Sequence, residues 1–250
     1  MQQDASEFTI GMLIFPCMTQ LDFTGPFEVF ARIPNAKVHV LWKQLEPITS
    51  DRGLAIMPTT TLDACPNLDL ICIPGGPGQI AMMDDEQIVT FVRNQGQHAK
   101  FVTSVCTGAL ILGAAGLLRG YKATTHWMSH DQLSALGAIP VMGRIVVDRN
   151  RITGGGVTAG IDFGLSIASL IAGEQVARSI QLQLEYHPEP PFNSGSPTTA
   201  TLELVAATRQ GGAVMLRERW AATRRAAQRL QLSTSVSACV ADSPAQKREV

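Results

Sequence analysis

Short, almost entirely apolar runs recur along this chain between stretches with helical spacing. The run Leu70–Ile73 has no charged or hydroxyl side chain, and a strand that is apolar on both sides needs a sheet covered on both faces. Similar runs predict further strands at Phe8–Phe15, Lys37–Leu45 and Phe101–Val105, separated by helices that include Pro26–Ile33 and Asp85–His98. This alternation predicts an α/β fold, a doubly wound and mostly parallel sheet with helices on both faces.

The later part of the chain continues the alternation with one interruption. We predict a strand at Tyr121–Thr125, a hairpin at Ile145–Thr153 turning at Arg149-Asn150, and a helix from about Thr158. The proline-rich stretch Pro188–Pro197 is expected to lie extended on the surface or on a partner subunit, with helix resuming near Thr198. A single domain over residues 7–232 is expected, with flexible tails at 1–6 and 233–250.

Composition narrows the classes of function. A formal net charge of -1 gives no general attraction to nucleic acid or to an anionic membrane, which favours a small-molecule substrate. Five scattered cysteines without a C-x-x-C pair argue against a disulfide framework and against a structural zinc site. The start of the chain has no basic segment typical of a signal peptide. We therefore expect a cytoplasmic protein with no bound metal and no membrane or nucleic-acid partner.

Cys106 is the residue with the most chemical information. It follows the predicted strand Phe101–Val105 and precedes a helical run, in the sequence Ser104-Val105-Cys106-Thr107-Gly108. This pattern is similar to the G-x-S-x-G nucleophile turn, and a helix N-terminus favours a thiolate. Buried cysteines also pack as small apolar residues. The local sequence leaves a nucleophile and a core cysteine equally open.

Two other loops also follow predicted strands, and the carboxyl ends of parallel strands meet at one edge of a sheet. The loop Pro74–Gly78 would expose the N–H groups of Gly75 and Gly76, which together with that of Thr107 would stabilise charge on a bound reactant. An ordinary glycine-proline turn explains the same residues. The loop Phe15–Asp22 follows the first strand. The three loops together indicate a ligand site.

Three further side chains are candidates for proton transfer or substrate orientation. Asp22 either exchanges protons with a nearby thiol or serves as the cap or the helix-dipole partner of a helix that begins at Pro26. His126 is the best histidine for a general base or for substrate binding, with a structural role as the alternative. Thr107 either orients substrate or water or occupies the first turn of a helix.

A basic segment near the end of the chain permits two interpretations. The residues that lie at helical spacing are Leu216, Trp220, Thr223, Ala227 and Leu230, and the arginines among them are Arg217, Arg219, Arg224, Arg225 and Arg229. A solvated basic face opposite a packed one is favoured over a nucleic-acid contact.

The chain resembles the ThiJ/PfpI group of the class I glutamine-amidotransferase-like superfamily, and within it most of all the isonitrile (cyclohexyl-isocyanide) hydratases. The segments that carry this resemblance are Phe15–Phe30, Pro74–Gly78, Ser104–Ala109, Ala123–Trp127, Gly156–Asp162 and Pro190–Pro197. The resemblance implies a flavodoxin-like sheet, a homodimer and a catalytic set of Cys106, Asp22 and Thr107. Protease-like members have histidine directly after the cysteine, where this chain has Thr107, which argues against peptide hydrolysis. Cys17 stands where relatives usually have glycine.

The resemblance implies a lyase that needs no metal or organic cofactor. It would hydrate an isonitrile to an N-substituted formamide through a thioimidate on Cys106, with Asp22 moving protons and with Gly75, Gly76 and His126 near the substrate. One alternative is a ligand-sensing regulator related to AraC-type proteins, although we expect this chain to be too short for their DNA-binding domain. Another is a different cysteine chemistry of the superfamily, such as that of a glyoxalase or deglycase.

Overall fold

The computed structural model describes residues 7–231, and its centre is a seven-stranded sheet in the order β10-β11-β7-β6-β1-β2-β5. Every neighbouring pair in this sheet is parallel except the edge pair β10 and β11. Two short ribbons, β3 with β4 and β8 with β9, lie outside it. The strands are β1 (Phe8–Leu13), β2 (Ala36–Trp42), β3 (Ile48–Thr49), β4 (Ala55–Ile56), β5 (Thr60–Thr61), β6 (Leu70–Ile73), β7 (Phe101–Val105), β8 (Lys122–Ala123), β9 (Ile139–Pro140), β10 (Ile145–Asp148) and β11 (Arg151–Gly154).

The helices form two groups, as expected for layers on both faces of a sheet. In one group α1 packs on α6 and α6 on α7, while in the other α4 contacts α2, α3, α5 and α9. The helices are α1 (Gln20–Phe30), α2 (Gln79–Met82), α3 (Glu86–His98), α4 (Gly108–Ala114), the 3-10 turn η1 (Trp127–Ser129), α5 (Gln132–Ala135), α6 (Ala159–Ala172), α7 (Glu174–Gln183), α8 (Leu202–Gly211) and α9 (Ala213–Arg229). The doubly wound α/β architecture predicted from the sequence is confirmed.

The apolar runs form the strands that their composition predicts. All four residues of β6 are buried, and β6 and β7 have the predicted bounds. The first strand is shorter than predicted, because it ends at Leu13. The hairpin is confirmed, with Arg149 in the left-handed region at φ +55° in its turn. The predicted strand at Tyr121–Thr125 is reduced to the two residues of β8.

Helix starts are where prediction and structure differ most. We expected the first helix to begin at Pro26, but α1 begins at Gln20 and encloses the proline. Pro26 packs closely on Gly160 of α6, since a Cβ added to Gly160 would lie 2.9 Å from the ring of Pro26. Helix α8 begins at Leu202 instead of near Thr198, and Thr201 Oγ1 caps it by accepting from the Leu204 N–H at 3.3 Å.

Other expectations concern the ends of the chain and its surface. The stretch Pro188–Pro197 contains neither helix nor strand, as predicted. The tails expected at 1–6 and 233–250 lie outside the described residues. Within residues 7–231 no helix combines the length and apolar character that crossing a membrane requires.

The strand order places the three predicted loops together. Strand β2 lies on one side of β1, whereas β6 and β7 lie on the other, so the order of strands reverses between β1 and β6. Ligands of doubly wound proteins bind at such a reversal, at the carboxyl ends of the strands. The loops that follow β1, β6 and β7 carry Asp22, Gly75 and Cys106 to this edge.

Candidate active site

Cys106 occupies a sharp, left-handed turn between β7 and α4. Its φ is +55°, which is unfavourable for any residue but glycine. The Cys106 N–H donates to Gly154 O at 3.1 Å, and Thr125 Oγ1 donates to Cys106 O at 2.7 Å. A Cβ on Gly108 would collide with Ile73 O, so glycine lets the helix approach β6. The turn is therefore held from both sides, as the nucleophile-turn pattern predicts.

Asp22 lies in the first turn of α1 and is completely buried. Its Oδ2 accepts a hydrogen bond from the Gly75 N–H at 3.0 Å, whereas Oδ1 has no hydrogen-bond partner within residues 7–231. Asp22 is not the N-cap of this helix, because Thr19 holds the N-cap position of α1, but it is the acidic residue of the first turn, as the helix-dipole alternative predicts. Asp22 instead faces the Cys106 thiol, with one oxygen fixed by Gly75 and one uncommitted.

Burial governs the protonation of this pair. It raises the pKa of Asp22 to about 7, although the Cys106 thiol and the Gly75 N–H lower it in part. Burial and the Asp22 charge also raise the pKa of Cys106 well above the usual range, and the Thr107 N–H and Arg219 oppose this only partly. The resting group is thus a thiol, because burial and Asp22 outweigh the helix N-terminus, which favours the thiolate as predicted. The two groups share protons and titrate as a pair.

Thr107 fastens the glycine loop to the turn. Its Oγ1 accepts from the Gly76 N–H at 3.0 Å, and its own N–H points to the Cys106 sulfur. A Cβ on Gly75 would lie 2.5 Å from Thr107 N, so only glycine permits this approach. The N–H groups of Gly75 and Gly76 both donate to side chains, so the free oxyanion hole expected from them is not present. They orient Asp22 and Thr107 instead.

His126 is neutral and is not placed as a general base. Burial, and next to it the positive charge of Arg219, lower the pKa of His126 to about 4. Its Nδ1 accepts from the Met128 N–H at 3.4 Å at the start of η1, which leaves the proton on Nε2. His126 can therefore donate a hydrogen bond, which fits the alternative of a structural or substrate-orienting role.

Arg219 is the site residue that sequence reasoning missed. It was assigned to a solvated face, yet only 3% of it is exposed and its charge reaches Cys106 and His126. The signal was available in the helical spacing, since Arg219 lies one turn before the buried Thr223. Arg225 and Arg229 form ion pairs with Asp84, so much of the basic segment serves to hold α9 in place.

Cys17 is separate from this pair. It is exposed, and its backbone is left-handed at φ +58°, a conformation that explains why glycine suits this position. Its N–H donates to Thr49 O at 2.9 Å and its carbonyl accepts from the Gly78 N–H at 3.0 Å. Cys17 therefore shapes the first loop.

The end of the proline-rich stretch lies near Trp127, the residue after His126. Ser194–Pro197 and residues of α8 line a cavity of about 160 Å³ together with Trp127. Arg209 of α8 stacks on the Trp127 ring, with its guanidinium carbon 4.8 Å from the ring centre. Within residues 7–231 no three His, Cys, Asp or Glu side chains converge as metal ligands.

Fold and site together define a doubly wound α/β protein with a buried cysteine-carboxyl pair at its strand-to-helix turn. The chain belongs to the DJ-1/PfpI family, whose model matches residues 9–170. A crystal structure of a ThiJ/PfpI family protein from Pseudomonas syringae is 46% identical, with a TM-score of 0.85 over 87% of this chain and 91% of that one. Drosophila melanogaster DJ-1beta, 23% identical, has the same fold with a TM-score of 0.66 over 73% of this chain and 100% of its own.

The relatives with assigned functions include an enzyme and a transcriptional regulator. The isonitrile hydratase of Pseudomonas putida is 54% identical over 223 residues, which cover 89% of this chain and 98% of that protein. The HTH-type transcriptional regulator GbdR of Pseudomonas aeruginosa is 30% identical over 193 residues. That match covers 74% of this chain but 52% of the regulator, so the shared part is about half of GbdR.

Proposed function

We propose that this protein is an isonitrile hydratase, which converts R–N≡C and water to R–NH–CHO. The observation that carries the proposal is the buried pair of Cys106 and Asp22, in which the carboxyl has a pKa of about 7. Such a group both accepts and donates a proton at neutral pH, which is what hydration of an isonitrile carbon requires. The 54% identity to the Pseudomonas putida enzyme supports the same assignment.

The first half of the reaction forms a covalent thioimidate. The Asp22 carboxylate takes the proton of the Cys106 thiol, the sulfur bonds to the terminal carbon of the isonitrile, and Asp22 returns the proton to that carbon. The product is R–N=CH–S–Cys106, with no net change in charge. The Thr107 N–H, which points to the sulfur, stabilises the charge that develops there.

The second half consumes water. Asp22, ionised again, takes a proton from a water molecule whose oxygen bonds to the thioimidate carbon. Asp22 then delivers this proton to the nitrogen. The carbon-sulfur bond then breaks as the carbonyl forms, R–NH–CHO leaves, and the remaining proton restores the Cys106 thiol. Asp22 Oδ1, which has no partner within residues 7–231, is the oxygen free to act in these transfers.

Turnover of cyclohexyl isocyanide by the purified protein tests this proposal. We expect N-cyclohexylformamide to appear, and Cys106→Ala to abolish its formation. Cys17→Ala is the matched control, because Cys17 is an exposed thiol outside the pair, and it should retain activity. Absence of turnover across several isonitriles, with folded protein and reduced Cys106, would exclude the hydratase assignment.

The structure gives little support to the alternative of a DNA-binding regulator. Arg219 is buried, and Arg225 and Arg229 form ion pairs with Asp84. Helix α9 thus presents few uncommitted cations to a phosphate backbone. A salt-sensitive complex with DNA in a binding assay would revive that alternative.

We also propose that the protein is a homodimer. Large apolar side chains project into solvent on and beside the proline-rich stretch, where Leu182, Phe192 and Leu202 are 82%, 78% and 81% exposed. Apolar surface of this kind is typical of an interface. Light scattering after size exclusion should give twice the mass of the chain, and a monomer would contradict the proposal.

A cytoplasmic location completes the proposal. Cys17, Cys65, Cys72 and Cys106 are all free thiols, which fits a reducing compartment.

A further inference from the structure

Arg219 is a buried cation without an anionic partner in the described part of the chain. Its Nε donates to Gln79 Oε1 at 2.8 Å, its Nη1 to Ser129 Oγ at 3.0 Å and its Nη2 to Met215 Sδ at 3.5 Å. All three acceptors are uncharged, and the guanidinium has more N–H donors than these bonds use. Arg225 and Arg229 on the same helix both meet the carboxylate of Asp84. Arg219 thus differs from these two arginines, because no carboxylate in the described residues offsets its charge.

Burial of an unpaired charge is unfavourable, so it persists only where something offsets it. The anchors of Arg219 belong to the segments that frame the cysteine. Gln79 opens α2 just after the glycine loop, and Ser129 ends η1 just after His126. Helix α9 itself packs on α4, which begins two residues after Cys106. Arg219 is thus held among the segments that frame the cysteine by contacts that do not neutralise it.

The charges around the thiol act in opposite directions. Asp22 of α1 raises the pKa of Cys106, whereas the positive charge of Arg219 on α9 lowers it. The other titratable group that Arg219 affects is His126, which is neutral. The charge of Asp51 acts on Asp22 and raises its pKa. The Arg219 cation acts on Cys106 and stabilises negative charge on the sulfur.

We propose that Arg219 is a positioning residue for catalysis, whose charge stabilises the Cys106 thiolate when the thiol proton moves to Asp22. In that step the S–H bond breaks, an O–H bond forms on Asp22, and the negative charge moves from the carboxylate to the sulfur. The thiolate is then the anion that offsets the buried guanidinium. This inference concerns the site of the proposed function, but thiol reactivity tests it without any isonitrile.

The experiment measures alkylation of Cys106 by iodoacetamide against pH, with mass spectrometry of the peptide that contains it. Removal of the charge in Arg219→Gln should raise the thiol pKa by about one unit and slow alkylation near neutral pH about tenfold. Arg219→Lys, which keeps the charge, should restore most of the rate. Cys17 is exposed and serves as an internal control, whose alkylation should be the same in all samples.

Gln79→Glu provides a second route that does not remove the arginine. The new carboxylate would stand where Gln79 Oε1 now accepts from Arg219, so it should neutralise the cation and slow Cys106 alkylation as Arg219→Gln does. This variant carries the test if Arg219→Gln does not fold. Because it forms an ion pair, it separates loss of charge from loss of packing.

Three results would overturn the inference. One is a Cys106 profile that is unchanged in folded Arg219→Gln or Gln79→Glu protein. Another is an equal loss in Arg219→Lys, which would indicate packing instead of charge. The third is unchanged alkylation with a higher KM for isonitriles that carry a carboxylate, which would make Arg219 a substrate-binding residue. The predicted alkylation pattern without isonitrile turnover would instead support the inference and contradict the proposed function alone.

Discussion

Replacement of Asp22 by asparagine separates its chemistry from its packing. The amide oxygen can still accept the Gly75 N–H that Oδ2 now accepts at 3.0 Å, but it cannot take the thiol proton at neutral pH. Loss of a positioned general acid-base group typically costs 10²- to 10⁴-fold, so we expect kcat/KM for cyclohexyl isocyanide to fall by about that factor. This corresponds to about 3 to 5 kcal/mol in activation free energy.

The same substitution, which lowers activity, should raise the stability of the folded protein at pH values where Asp22 would be ionised. Burial raises the pKa of Asp22 from 3.8 to about 7, so the folded protein holds the proton more tightly than the unfolded chain does. The stabilisation is complete below the unfolded pKa and is lost as pH rises to about 7. Between about pH 5 and pH 8 the unfolding free energy should fall by on the order of 2 to 3 kcal/mol through Asp22. This is an upper limit, because Cys106 titrates together with Asp22. Asp22→Asn should lose this pH dependence.

Urea unfolding at both pH values, together with steady-state kinetics, measures the two effects in one variant. Asp148→Asn is a suitable control, because Asp148 lies on the β10–β11 hairpin and its Oδ2 accepts from the Lys122 N–H as an amide oxygen also can. Activity of Asp22→Asn within threefold of the native protein would refute the role in proton transfer. An unchanged pH dependence of stability would refute the raised pKa.

Three other predictions follow from the same geometry. kcat/KM should rise with pH through about 7, because Asp22 must be ionised to take the thiol proton, and a flat pH-rate profile would contradict this. Gly75→Ala would place a Cβ 2.8 Å from Asp22 Oδ2, so it should lower the unfolding free energy measured by chemical denaturation by about 1 to 3 kcal/mol and should also lower activity. Gly211→Ala is the control, because Gly211 has open space around it and its replacement should change neither quantity. Thr107→Val removes the acceptor of the Gly76 N–H and should lower the unfolding free energy by about 1 to 3 kcal/mol, and a loss confined to turnover would point to substrate contact instead.

The architecture and the cysteine turn could be predicted because each depends on short runs of consecutive residues. The bounds of β6 and β7 were predicted from uninterrupted apolar runs, and the turn at Cys106 follows directly from the end of β7. The start of α1 was not predictable in this way. Proline usually marks the first turn of a helix, and its place inside α1 depends on packing against Gly160 from the far half of the chain.

The electrostatics of the site also depended on distant residues. A helix N-terminus after Cys106 suggested a thiolate, but burial and Asp22 outweigh that effect. The predicted oxyanion hole failed for a similar reason, because the N–H groups of Gly75 and Gly76 meet Asp22 and Thr107 only in the folded chain. Arg219 is separated from Cys106 by more than a hundred residues, so no local pattern connects them.

Arg219 lies in a different part of the chain from the rest of the site. The turn, the carboxyl and the glycine loop all lie within residues 9–170, the part that the family model matches, whereas α9 lies beyond it. A chain reduced to the matched core would keep the thiol and its proton acceptor but lose the buried cation. If Arg219 has the proposed role, a substitution in α9 alters the charge that acts on the nucleophile and leaves the residues of the matched core unchanged.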